Sequence, residues 1–185
     1  MVEFALCAPI VFAILFGVIN GGLFMYAKSA VARAANVGSV TLAAAGVDPN
    51  ADQATLTAMQ KAGVGANSLV NVQWVKVEKV NYSSSLGYQT DMTGCKDSFG
   101  NPNQPCVNQY QIDGTPMWTY GGAACTADPY HCPPWPPSAR SVHAGGANPA
   151  SFVRLTIHYT FVFPATGKSF TFDEAQVFRL EPKDL

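Results

Sequence analysis

Hydrophobic and polar positions alternate with different periods along this chain, and the changes of period mark its parts. From Phe4 to Tyr26 it reads FALCAPIVFAILFGVINGGLFMY, without one charged side chain. A helix of that length spans roughly 34 Å, about the thickness of a bilayer core. It is apolar on every side, so its surroundings must be lipid or other apolar helices. Lipid leaves no water for an open backbone, which makes helix the only single-segment solution. The following AKSAVARAANVGSVTLAAAG is rich in alanine and continues the helix. An unbroken helix to about Ala45 is roughly 63 Å long, with Gly46 as its stop.

Beyond Val47 the pattern shortens. Asp48-Pro49 predicts an N-cap and first-turn proline for a short helix over NADQATLTAMQKAG, ending at Gly63 or Gly65. Ala54, Leu56, Ala58 and Met59 supply its buried stripe. Leu69 to Tyr82 predicts a strand. Val70, Val72 and Trp74 share one parity, whereas Val75 and Val77 take the other, so a bulge or a change of environment near Trp74 is expected. Phe152 to Phe163 alternates cleanly, with His158 outward, and Ser169 to Leu180 places Phe170, Phe172 and Phe178 on one parity. Pro164-Ala165-Thr166-Gly167 turns between them. The predicted class is α+β, a long N-terminal hydrophobic helix packed against a small antiparallel sheet. Two regions result: residues 1–47, the hydrophobic helix, and 48–185, a head able to bury a core of its own.

Composition sharpens that division. Only 12% of residues are charged, and the net charge is −1. Between Met1 and Val47 the charged residues are Glu3, Lys28 and Arg33 alone. No basic stripe supports nucleic-acid binding, and the apolar and aromatic content excludes a disordered chain. A cleaved signal peptide needs a positive n-region, yet the first charge is Glu3. A single-pass anchor and an assembly helix that moves from membrane to filament both fit the apolar run. A carboxylate at its apolar end calls for a positive partner. The helix N-terminus is one such partner; the terminal amine of a neighbouring subunit is another. Pro9 lacks an N–H and should loosen the helix at Ala5. Gly17, Gly21 and Gly22 permit close helix approach, although glycine is common in membrane helices generally.

Between Ser83 and Ala150 regular patterning fades, and Gly, Pro, Asn, Ser and Cys dominate. A loop that long is unusual in a compact domain. Four cysteines inside it suggest a disulfide-stapled insertion. Sequential pairing, Cys95–Cys106 and Cys125–Cys132, closes the shortest loops of the three possible connectivities and implies an oxidising exterior. A loop of that size gains about 3 kcal/mol. Cys7 is left as a small hydrophobe. His131, Cys132, Cys125, Cys95 and His143 are zinc-type ligands, but no close C-x2-C or H-x3-H pair is present, so no metal or other cofactor is expected. No hydrolase, zincin, phosphate-loop or dinucleotide motif occurs, and Asp91, Asp97, Asp113 and Asp128 read as turn residues. Tyr110, Trp118, Tyr120, Tyr130 and Trp135 suit internal packing first, with subunit or sugar contacts as alternatives. Pro133-Pro134-Trp135-Pro136-Pro137 reads as a stiff extended segment. Asn81-Tyr82-Ser83 matches a glycosylation sequon.

Val2-Glu3-Phe4-Ala5-Leu6-Cys7-Ala8-Pro9, the apolar run to Gly17-Val18-Ile19-Asn20-Gly21-Gly22, and Tyr26-Ala27-Lys28 through Arg33-Ala34-Ala35-Asn36-Val37-Gly38 resemble the start of TadE/TadG-like pilins and pseudopilins. These belong to the tight-adherence branch of type IV pilus systems. The resemblance covers about the first 45 residues; the strands closing on Arg179-Leu180-Glu181-Pro182 add a weaker likeness. It implies a type IV pilin-like fold, and cleavage of a leader by a prepilin peptidase. The family glutamate is commonly the fifth mature residue and here is third, which predicts up to two residues ahead of Met1. It further implies a non-enzymatic subunit held in the inner membrane, then extracted by a pilus machine into a surface filament. Glu3, Phe4, Pro9, Gly17, Gly21 and Gly22 would serve assembly through a helix bundle, with copies of itself or with other pilins. The large head favours a minor pseudopilin that primes or caps another pilin's filament. A single-pass anchored surface-binding protein is the alternative from another class.

Overall fold

The computed structural model describes residues 2–64, 69–92, 95, 106–117, 133–142, 151–164 and 166–180, with backbone alone for residues 2–6. Helix α1 runs from Val2 to Ala45, 44 residues, and passes through Pro9 without interruption. The expected loosening at Ala5 therefore does not break the helix, because a proline removes one donor and leaves the neighbouring turns in place. Gly46 ends it at φ 53°, donating its N–H to the Leu42 carbonyl at 3.0 Å. Only glycine takes that left-handed position without penalty.

Helix α2, Ala51–Met59, continues into a wider turn over Gln60–Val64 that bends at Gly63. Its N-cap is Asn50, not Asp48. The Asp48 carboxylate instead accepts from the Asn50 N–H at 2.8 Å and stabilises the turn before the helix. The buried face also differs from the expected stripe. Ala51, Asp52, Thr55, Leu56 and Met59 are inside, whereas Ala54 is exposed and Ala58 half-buried. The wheel has turned so that a carboxylate points inward.

Five antiparallel strands form one sheet: β1 Val70–Ser83, β2 Gly87–Thr90, β3 Val107–Tyr110, β4 Phe152–Val162 and β5 Ser169–Arg179. The order is β2-β1-β4-β5, and β3 pairs with β1 beside β2. Strands β2 and β3 lie inside the stretch whose sequence shows no strand pattern. Each is four residues long and borrows its order from the longer β1. The register of β1 against β4 shifts between Val72 and Trp74, the bulge expected there. Its effect is to bring Val70, Val72, Val75 and Val77 to one face, opposite Phe161, Tyr159, Ile157 and Leu155. Trp74 is moved to the other face, opposite His158, instead of sharing the Val70 and Val72 side.

The valine face packs on the second half of α1. Ala27, Val31, Ala34, Ala35 and Leu42 are fully buried there, at spacings of three, four and seven residues. Small side chains let sheet and helix approach closely. A Cβ on Gly38 would lie 2.8 Å from Met59 atoms and 2.9 Å from Leu155, so glycine is what the contact demands. The head thus closes its core with the same helix whose first half it leaves bare.

Candidate assembly interface

From Cys7 to Gly22 the helix makes almost no contact with the rest of the chain. Ile10, Ile14 and Val18 are each more than 60% exposed. A Cβ added at Gly17, Gly21 or Gly22 would meet nothing within 4 Å. These three glycines therefore form a smooth strip that no part of this chain fills. Asn20, the one polar amide in the apolar run, donates to the Phe16 carbonyl at 2.8 Å, which satisfies one of its hydrogens within the helix and lowers the cost of an apolar setting. The side chains of Glu3 and Phe4 lie outside the described residues. The helix is long and apolar enough to cross a membrane.

The bare half meets the head at Phe24. Its ring lies 5.5 Å from Phe161, 6.2 Å from Phe163 and 5.4 Å from Phe172. Sequence parity anticipated Phe172 on this face, but not that one helix aromatic gathers rings from two strands.

Residues 1–39 match the family model described as TadE-like protein. That TadE-like segment covers the whole bare half of α1 and stops just past Gly38, where helix and sheet are closest. The match supports a Tad pilus-associated protein. No curated protein and no solved structure matches the chain. The head thus rests on its own geometry.

Behind the TadE-like segment, buried polar groups that the sequence does not announce hold the described part of the head, among them a Lys79–Asp91 ion pair at 2.7 Å, where Asp91 is buried and not a surface turn residue, and the following clusters. In the first, Asp52 of α2 accepts from Asn108 Nδ2 at 2.8 Å, Tyr110 Oη at 2.6 Å and Arg140 Nη2 at 2.8 Å. The Arg140 side chain is wholly buried and its guanidinium lies 4.8 Å from the centre of the Trp135 ring. Asn108 also bonds both the N–H and the carbonyl of Trp135. Tyr110 and Trp135 are therefore internal, the first of the alternatives for the aromatics of this region. In the second, Glu78 on the outer sheet face is held by Arg154, Lys76 and Thr90. Burial pushes its carboxyl up, but the hydrogen bonds from Arg154 and Thr90 and the charges of Lys76 and Arg154 outweigh that, leaving it below its ordinary pKa. Tyr159 is raised, by burial first and by the Glu174 charge second.

Cys95 and Cys106 form a disulfide. The other expected pair, Cys125–Cys132, lies outside the described residues, as do Trp118, Tyr120, Tyr130, His131 and His143. Among the described residues no group of three or more His, Cys, Asp or Glu can hold a metal ion. His158 faces outward, stacked on Trp74 at 4.4 Å and bonded to Asp173 at 2.6 Å.

Proposed function

We propose that this chain is a structural, non-enzymatic subunit of a Tad-type pilus that assembles through the first half of α1. The supporting observation is the bare helix from Cys7 to Gly22, charge-free and exposed on all sides while the head packs only farther along. Burying this much apolar surface at about 25 cal/mol per Å² provides the driving force, first in the inner membrane and then among neighbouring helices. Glu3 pairs with the terminal amine of a neighbour, and Phe4, Pro9, Gly17, Gly21 and Gly22 shape the bundle.

A head of this size favours a minor subunit that primes or caps a filament made of another pilin. The partners in either role are other pilins, a prepilin peptidase and a pilus machine, and the final location is the cell surface. Imaging of material sheared from cells, with antibody to the head, tests the reading. Label along filaments indicates a major subunit, and label at their ends a minor one. Absence from all filaments, together with normal filament yield when the gene is deleted, refutes both. Glu3→Ala should abolish incorporation while leaving membrane insertion intact.

A further inference from the structure

We propose that the described residues of the β4–β5 hairpin tip, 162–164 and 166–170, are a second membrane contact that seats the head against the lipid surface beside α1. This rests on the reading of α1 as a membrane-inserted helix before assembly. Strand β4 runs along α1 in the opposite direction. Leu155 packs at Gly38 and Phe161 at Phe24. From Gly38 back to Phe24 the helix rises about 21 Å, and from Leu155 on to Phe161 the strand advances about 20 Å. The two elements therefore keep step.

Two residues farther on, Phe163 lies about 7 Å nearer the N-terminal end of the helix than Phe161. Phe24 is itself about 6 Å inside Lys28, the first positive charge after the apolar run. The tip consequently reaches past Lys28 to the level of the charge-free segment. Phe163 thus stands about 13 Å past Lys28 and about 7 Å past Phe24; with the boundary at Phe24, where the head's aromatics meet the helix, that matches the depth of about 5–10 Å of an element seated between headgroups and acyl chains.

Its chemistry fits that layer. Phe163 and Phe170 pack edge to face at 5.5 Å, and Phe170 remains 50% exposed. Val162 and Pro164 beside them are exposed as well. This apolar edge is continuous with the bare surface of α1 through the Phe24–Phe163 stack. Lys168 is exposed at the tip and its carbonyl accepts from the Phe163 N–H, so it stands level with that ring, and its long stem lets the ammonium rise toward lipid phosphate while the aromatics stay in the apolar layer. The occupant is lipid rather than a second copy, because the tip's depth is set by the same helix that spans the bilayer.

The test uses the full chain in vesicles of phosphatidylcholine with a minority of phosphatidylglycerol. Nitroxide labels are placed at Thr166→Cys, Ser85→Cys and Leu15→Cys in a Cys7→Ser background, and collisions with oxygen and with a water-soluble nickel reagent are measured. Ser85 sits in the β1–β2 turn at the opposite end of the sheet. Leu15 should be fully shielded from nickel, and Thr166 about fivefold less accessible than Ser85, as for an interfacial segment. Leu15 shielded with Thr166 as accessible as Ser85 overturns the hairpin contact and leaves the helix reading standing. Leu15 as accessible as Ser85 overturns the membrane reading itself. Shielding of Thr166 in filaments but not in vesicles overturns lipid in favour of a neighbouring subunit. Phe170→Ser should return the Thr166 label toward the Ser85 value; no change overturns the aromatic anchor.

Discussion

Replacing Asp52 by alanine should destabilise the head by about 3–5 kcal/mol, the cost of breaking a buried ion pair from one side. The carboxylate is 4% exposed, and its removal strands the Arg140 guanidinium. Arg140 has little to fall back on, since its Nε and Nη1 already lack hydrogen-bond partners among the described residues. Asn108 keeps its bonds to Trp135, which limits the secondary loss. Tyr110 loses its carboxylate acceptor. For a chain of this length the loss corresponds to a fall in Tm of about 10 °C. Near-UV circular dichroism of the protein in detergent micelles is the suitable assay. It follows the packing of Trp135 under Arg140 and is insensitive to α1, which stays helical in the micelle. The double variant Asp52→Leu with Arg140→Met removes both charges and should recover most of the stability, since apolar pairs of similar volume replace buried ion pairs at little cost. A fall in Tm of only 2 °C for Asp52→Ala, or a double variant no better than the single, would refute the view that Arg140 depends on Asp52.

Other substitutions separate the two halves of the molecule. Gly21→Leu should leave the thermal transition in micelles unchanged within about 0.5 kcal/mol, because the site is open, yet reduce recovery of the subunit in sheared filaments; equal recovery contradicts the glycine strip. Gly38→Leu should cost more than about 2 kcal/mol by overpacking Met59 and Leu155, whereas Gly38→Ala costs less because it regains about 1 kcal/mol of helix propensity; thermal melts of both decide. Glu78 is lowered in the folded protein relative to its ordinary value of 4.5. Its stabilising contribution is therefore fully present above that pH and lost as pH falls through the lowered folded value. Glu78→Gln should flatten the acid limb of the stability profile, measured by urea unfolding at stepped pH.

Elements with a long, regular period were legible in the chain itself. The limits of α1 follow from an uninterrupted apolar and alanine-rich run closed by Gly46, and β4 from strict alternation. The bulge in β1 was visible as a switch of valine parity, because a one-residue insertion leaves that mark. Its consequence for Trp74 was not, since parity alone does not say which half of a strand has moved. Strands β2 and β3 were hidden: GYQT and VNQY carry little apolar alternation and exist by pairing with β1. Asp52 was hidden for a different reason. An acid in the first turn of a short helix reads as a surface residue, and its partner Arg140 stands 88 positions away. Of the residues proposed to serve assembly, Pro9 and the glycines are legible through their backbone chemistry. The exposure of the strip depends on where the sheet ends, which no local pattern records.

The antiparallel run of β4 beside α1 has a mechanical consequence. A pull along the helix axis, such as extraction from a bilayer requires, loads the contacts from Phe24 to Leu42 in shear, so that they must yield together. A pull at right angles would peel them one by one. The Met59 and Leu155 side chains that close over Gly38 act as a detent against sliding. The head should follow the helix as one body under axial force, and part from it more readily under a sideways one.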